Sequence, residues 1–217
     1  MKFHDENIII YLRGKESVEC SQESAIDIVL NAQHIHRYDV LDKGNSNRLD
    51  LIDLSFPAYL AAVPHYKALL NDRELARKLE GASKILSTIP EDASILDLSN
   101  SLLSSVHQLF SKILGVEGGL SGFGAARTTK MLHKKRPNLI PIIDSLQLAA
   151  CGFSNSNKAI NLTDCMMVIA GHIEENNRAL HTLKNEVKKE IGNDDFPELS
   201  ILRLYDLLFW ELSNNQS

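Results

Sequence analysis

Two short features of this 217-residue chain have the residue types and spacing to do chemistry: the turn Gly122-Phe123-Gly124 and the carboxylate Asp144, 20 residues after the second glycine. Two glycines around one residue, directly before a helix, permit a tight turn and let the backbone come close to a phosphate. The N–H groups of Phe123, Gly124 and the first helical turn would then point at the anion, helped by the helix dipole. Arg127 and Lys130, in the helix that follows, place positive charge nearby. Such a grip positions nucleic acid and reads no sequence. Asp144 comes after the apolar strap Ile140-Pro141-Ile142-Ile143 and before a helix. A carboxylate there could stabilise developing positive charge or activate water, and it could equally cap the helix beginning at Ser145. Two other phosphate-binding patterns fail. A dinucleotide fingerprint needs a third glycine where Arg127 stands, and a Walker loop needs a GK[ST] that does not follow.

Charge distribution supports an anionic ligand for the same segment. The chain has 23 Lys+Arg against 28 Asp+Glu, a formal net charge of −5. No Asp or Glu falls between Gly118 and Ile143, yet that window holds Arg127, Lys130, Lys134, Lys135 and Arg136, with His133 among them. One basic patch on an otherwise acidic protein suits a polyanion or a phosphorylated ligand. The plainer reading is a solvated basic helix face.

With the hairpin Leu120-Ser121-Gly122-Phe123-Gly124 and Ile142-Ile143-Asp144-Ser145 at this separation, the sequence resembles the helix-hairpin-helix DNA glycosylase superfamily. The resemblance covers roughly residues 120–145. It implies a two-lobed helical bundle that binds duplex DNA through Gly122, Phe123, Gly124, Arg127, Lys130, Lys134, Lys135 and Arg136. It further implies that Asp144 serves catalysis in base excision. Bifunctional members carry a Schiff-base lysine two residues past the second glycine, where this chain has Ala126, so the expected activity is hydrolytic, without lyase cleavage. The four-cysteine iron–sulfur motif of some members is absent, Ser145 follows the aspartate where Thr-His is common, and no cofactor or metal is expected. Over most of its length the chain also resembles an uncharacterised bacterial domain family. That likeness rests on Gly122 to Gly124, on Lys135 to Asp144, and on Leu202-Arg203-Leu204-Tyr205-Asp206 through Trp210. The alternatives are a non-catalytic helix-hairpin-helix DNA-binding module and an all-α protein-interaction domain.

Other candidates are weaker. Tyr38, Tyr59, His65 and Tyr66 could stack on or edge-read a base, although core or surface roles are commoner, and Trp210 reads as core. His34, His36, His172 and His181 would ligate a metal only if distant carboxylates converged on them. Cys20, Cys151 and Cys165 are widely spaced and show no CxxC pattern. Free thiols and the lack of a secretory-type N-terminus point to the cytoplasm. No apolar run is long enough for a membrane span.

The elements that would position these residues are helical nearly throughout, so the fold class expected is all-α, with residues 1–217 forming a single helical domain around the motifs at 120–145. Helices are expected over 22–36, Asp50 to Val63, from Pro64, from about Asn71, over the stripe Leu102 to Ile113, and over Ala125 to Lys134. Further helices are expected from Asp144, from Thr163 as a cap through Ile191, and from Pro197 onward. Only Asn7 to Leu12 alternates like a strand. The stretch Gly115 to Gly124 holds five of the 11 glycines, which requires an unusual backbone path.

Overall fold

Apolar side chains at three- and four-residue steps dictate most of what the chain does, and the computed structural model is accordingly helical. It describes residues 7–12, 17–32, 35–64, 66–153, 158–191 and 197–214. Strands β1 (Ile8–Tyr11) and β2 (Ser17–Cys20) form an antiparallel hairpin in which Ile8 pairs with Cys20 and Tyr11 with Ser17. The alternation of β1 buries Ile8 and Ile10 against the helices. Helices follow at α1 (Gln22–Asn31), α2 (Tyr66–Leu70), α3 (Leu75–Leu86), α4 (Asn100–Ile113) and α5 (Ala125–Lys135). The chain closes with α6 (Ser145–Ala150), α7 (Ala159–Glu175), α8 (Asn177–Ile191) and α9 (Ile201–Asn214). Among the described residues no helix is long and apolar enough to cross a membrane.

One large core joins α1, α3, α4, α5, α7, α8 and α9 to the hairpin, and a satellite cluster of Tyr38, Phe56, Leu60 and Ile142 lies beneath the 38–60 segment. The stretch expected as a helix there, Asp50 to Val63, is not a regular one. A π-helical turn (Ile35–Asp39) and a 3₁₀ run (Asp53–Leu60) carry the segment, with Pro57 inside the run. The run stops at Ala61, whose φ of 58° is left-handed, a conformation that costs a non-glycine residue about 1 kcal/mol or more.

Two other boundaries differ from expectation. The long helix expected from Thr163 to Ile191 is two helices, and Thr163 lies inside α7 with its hydroxyl on the Ile160 carbonyl. The break falls at Asn176, with neither glycine nor proline to signal it. Its side chain turns away to clasp β1, accepting the Ile9 N–H at 2.6 Å and donating to the Ile9 carbonyl at 2.9 Å. The last helix starts not at Pro197 but at Ile201, where the Ser200 hydroxyl caps it by accepting the Arg203 N–H at 3.0 Å.

Candidate active site

The glycine-rich turn between α4 and α5 is built from the carbonyls that α4 leaves unsatisfied at its end. Leu120 N–H donates to the Ile113 carbonyl (2.8 Å) and Gly119 N–H to the Leu114 carbonyl (3.0 Å). Gly115 N–H then reaches the Phe123 carbonyl at 2.8 Å. Gly122 sits at φ 76°, third in a tight turn closed by Phe123 N–H donating to the Leu120 carbonyl at 3.0 Å. This corrects the expectation for Phe123: its N–H is already taken, and its ring is buried in the main core. Gly124 is the N-cap of α5.

The basic residues of α5 do not form a solvent-facing patch. Arg127 donates through Nε to the Val63 carbonyl at 3.0 Å and through Nη1 to the Gly122 carbonyl. Lys130 Nζ donates to the Leu60 carbonyl at 2.7 Å, and Lys134 Nζ to the carbonyls of Tyr38 and Asp39 at 2.8 and 2.9 Å. Lys135, 1% exposed, forms an ion pair with Asp53 at 2.7 Å. Arg136 is fully buried and donates to the carbonyls of Leu86, Ile89 and Ser46. The physical reason is the irregular path of residues 38–63, whose carbonyls lack helical partners and must be satisfied by something. The cations of α5 do that work, so Lys135 and Arg136 are unavailable to phosphate and Lys134 is half-buried against its partners.

The opposite stitching fixes the strap before Asp144. The Thr129 hydroxyl donates to the Ala125 carbonyl and accepts the Ile143 N–H at 3.0 Å. His133, one turn on, bonds the Ile140 carbonyl through Nδ1 at 2.7 Å, which makes Nδ1 the protonated nitrogen. Burial, with Arg203 adding to it, pushes His133 down to about 3, so the ring is neutral. Held in this way, Asp144 is the N-cap of α6. Its Oδ1 accepts the N–H groups of Leu146 and Gln147 at 2.9 and 3.0 Å, so the cap uses one oxygen and not Oδ2.

Asp144 lines a cavity of about 210 Å³ together with Lys130 of α5, Gln147 of α6, and Arg203, Asp206 and Trp210 of α9. Leu60, Ile142, Leu207 and Phe209 supply apolar wall, and left-handed Ala61 also borders it. Burial lowers the Lys130 ammonium from its ordinary value, while Asp144 and Asp206 pull it back up. Arg203 is gripped by both oxygens of Asp39, with Nε to Oδ1 at 3.0 Å and Nη2 to Oδ2 at 2.9 Å. Its Nη1 donates to Asp206 Oδ2. Burial opposes the guanidinium's charge, yet these two carboxylates hold its pKa above the usual value. Burial pushes the Asp206 carboxyl up to about 6, Asp144 adds to the rise, and Arg203 and Lys130 oppose it.

The α9 residues of this cavity fall in the run Leu202 to Trp210, which carries a family likeness in the sequence but assigns them no role. Asp206, Arg203 and Trp210 share one face of α9 at three- and four-residue spacing, and that spacing was the available signal. Trp210 is 41% exposed and lines the cavity, not the core. Lys130 stands one helical turn after Ala126, so the lysine is on the same face as the position that Ala126 occupies. Of the base-reading candidates, Tyr38 is fully buried with its hydroxyl on the Lys130 carbonyl, while Tyr59 and Tyr66 are exposed. His34, the side chain of His36, and His65 lie outside the described residues. His172 stacks on Tyr11 at 4.3 Å and bonds the Tyr205 hydroxyl, and His181 is exposed on α8. Among the described residues no group of three or more His, Cys, Asp or Glu is placed to hold a metal. The three cysteines are free thiols.

Fold and cavity together define an all-α protein with two carboxylates and a lysine around one partly apolar pocket. The chain belongs to a family of unknown function, DUF6308, whose profile matches residues 30–213 and so spans the glycine turn, Asp144 and the α9 face. No curated protein and no solved structure matches it.

Proposed function

We propose that this protein is a monofunctional, hydrolytic DNA glycosylase that removes a damaged or modified base. The observation that carries the reading is Asp144: its cap occupies Oδ1 alone, and the residue lines a cavity that has both apolar and charged lining residues. A base extracted from the duplex would enter that cavity, at a cost of a few kcal/mol that is lowest for damaged or mispaired bases. Cleavage of the N-glycosidic bond builds positive charge on the sugar. Asp144, kept rigid by the Thr129 and His133 bonds to its strap, would stabilise that charge and accept the proton of the attacking water. The mechanism asks for no cofactor. Lys130 Nζ is tied to the Leu60 carbonyl, which fits hydrolysis better than a lysine-bonded sugar intermediate.

Duplex DNA would lie over the 120–124 turn, where Ser121 and Gly122 are exposed and Arg127 is half-buried. Such an enzyme would act in the cytoplasm, in repair or in defence against phage carrying modified bases. The buried basic run weakens the alternative of a purely non-catalytic DNA grip. A protein-interaction role has one observation in its favour, the exposure of Leu51 and Ile52 at 62% and 67%.

The deciding experiment is base release from duplexes carrying uracil, hypoxanthine, alkylated, oxidised or phage-type bases, with alkali treatment and borohydride trapping in parallel. Alkali-dependent strand breaks that are lost by at least about 100-fold in Asp144→Asn are expected, with no borohydride adduct. A covalent adduct that disappears in Lys130→Ala would replace hydrolysis by lyase chemistry. Undiminished release by Asp144→Asn would remove Asp144 from the mechanism.

A further inference from the structure

We propose that Asp206 is a second catalytic carboxylate, the general acid that protonates the departing base, and that the substrate is a modified base carrying no charge in DNA. This rests on the glycosylase reading above and extends it to a substrate class. Asp206 comes from α9 and Asp144 from the start of α6, so two helices bring two carboxylates to one cavity. Arg203 engages Asp206 through Oδ2 and leaves Oδ1 outside that bond.

The charged and titratable groups around Asp206 explain why it can hold a proton. Arg203, on its own helix, is shared with Asp39 of the 35–39 turn, which takes Nε and Nη2. One guanidinium therefore faces two carboxylates buried to the same degree, and Asp206 receives a single bond. Lys130 of α5 favours ionisation of Asp206, whereas burial and the Asp144 carboxylate disfavour it. Tyr38 and Tyr205 also interact with Asp206 electrostatically, and both phenols are held above their usual value chiefly by burial, hence neutral. A carboxyl that its surroundings help to hold a proton can act as the acid in a site whose other carboxylate acts as the base.

The chemistry then separates substrates. When the bond from C1′ to the base nitrogen breaks, its electron pair goes to the base. A neutral base would leave as an anion unless Asp206 delivers its proton to a ring heteroatom. A base already cationic by alkylation leaves neutral and needs no acid. Water adds to C1′ and gives its proton to Asp144, and exchange with solvent returns Asp206 to its acid form and Asp144 to its carboxylate.

Single-turnover release would be measured between about pH 5 and 8 on duplexes carrying uracil, hypoxanthine or 8-oxoguanine (neutral) and 7-methylguanine or 3-methyladenine (cationic). Wild type should release a neutral base at a rate that declines above about pH 6. Asp206→Asn should lose about 100-fold or more on that base and change little on any cationic base, and Asp206→Glu should restore part of the loss. Equal losses on neutral and cationic bases, a flat wild-type profile, or release of cationic bases alone would overturn the inference while leaving the glycosylase reading intact. Should Asp206→Asn fail to fold, the wild-type profile decides. Silence of wild type on every base removes the glycosylase reading, and this inference with it.

Discussion

His133 shows at the scale of one residue how burial converts an apparent ligand into a structural part. The basic run around it reads as a surface facing phosphate, but Thr128, Met131, Leu132 and Lys135 recur at three- and four-residue steps and are all buried. Periodicity alone places Lys135 inside, and the usual exposure of lysine hides that signal. His133 follows the same logic, with Nδ1–H spent on the Ile140 carbonyl and its pKa lowered from 6.5 to about 3. An unfolded chain binds a proton at this residue below about pH 6.5 and the folded one does not, so stability from the neutral ring is complete above pH 6.5 and lost as pH falls towards 3. The loss approaches roughly 4 kcal/mol over that window. Asp206 acts in the opposite sense, because its raised carboxyl favours the fold at low pH and that contribution is lost as pH rises through about 6. Comparing wild type with His133→Gln isolates the histidine. The difference in urea midpoint between them should shrink as pH drops from neutral towards 4. A constant difference would mean that the ring binds protons in the fold as it does in the unfolded chain.

At the scale of elements, most helices were legible because their apolar stripes are regular, from α3 and α4 to α9. The breaks were less so. Asn176 ends α7 through a contact with β1 far away in sequence, and the 38–60 segment takes its path from carbonyl bonds to α5 that no local pattern encodes. The glycine turn was legible as unusual, but the steric demand on Gly119 within it was not. A Cβ at Gly119 would lie 2.4 Å from the Ile113 carbonyl carbon and 2.5 Å from its oxygen, both immobile backbone. Gly152, at φ 84° with open space around it, supplies the comparison. Gly152→Ala should cost only the left-handed penalty, about 1–2 kcal/mol. Gly119→Ala, which carries no left-handed penalty, must instead displace the α4 end that seats the turn and should cost more, roughly 3 kcal/mol or above. Chemical denaturation of both variants measures this, and equal costs would show that the turn relaxes freely.

For the whole molecule, the distribution of charge decides what a nucleic acid could touch. The formal charge is −5, and the cations that appeared to offset it locally are turned inward to hold residues 38–63 against α5. Of the site that sequence motifs suggested, Asp144 keeps a place at a cavity, whereas Lys135 and Arg136 become internal clamps, and the α9 half of the cavity lies in a run whose family likeness carried no role. This separates two explanations for any weak DNA binding by a charge variant. If Lys135 contacted phosphate, removing it would lower affinity and flatten the salt dependence by about one counterion. Here its ammonium instead balances Asp53, whose carboxyl is already pushed upward by burial. Lys135→Met therefore leaves a buried carboxylate without its partner and should destabilise the protein by about 3–5 kcal/mol. The double variant Lys135→Met, Asp53→Leu should recover much of that, since an apolar replacement of a buried pair is often close to neutral. Below its melting temperature, any duplex DNA binding by wild type that the proposed function calls for should be retained by the double variant with unchanged affinity and salt slope. A slope reduced by about one in a folded double variant would return Lys135 to the nucleic-acid surface.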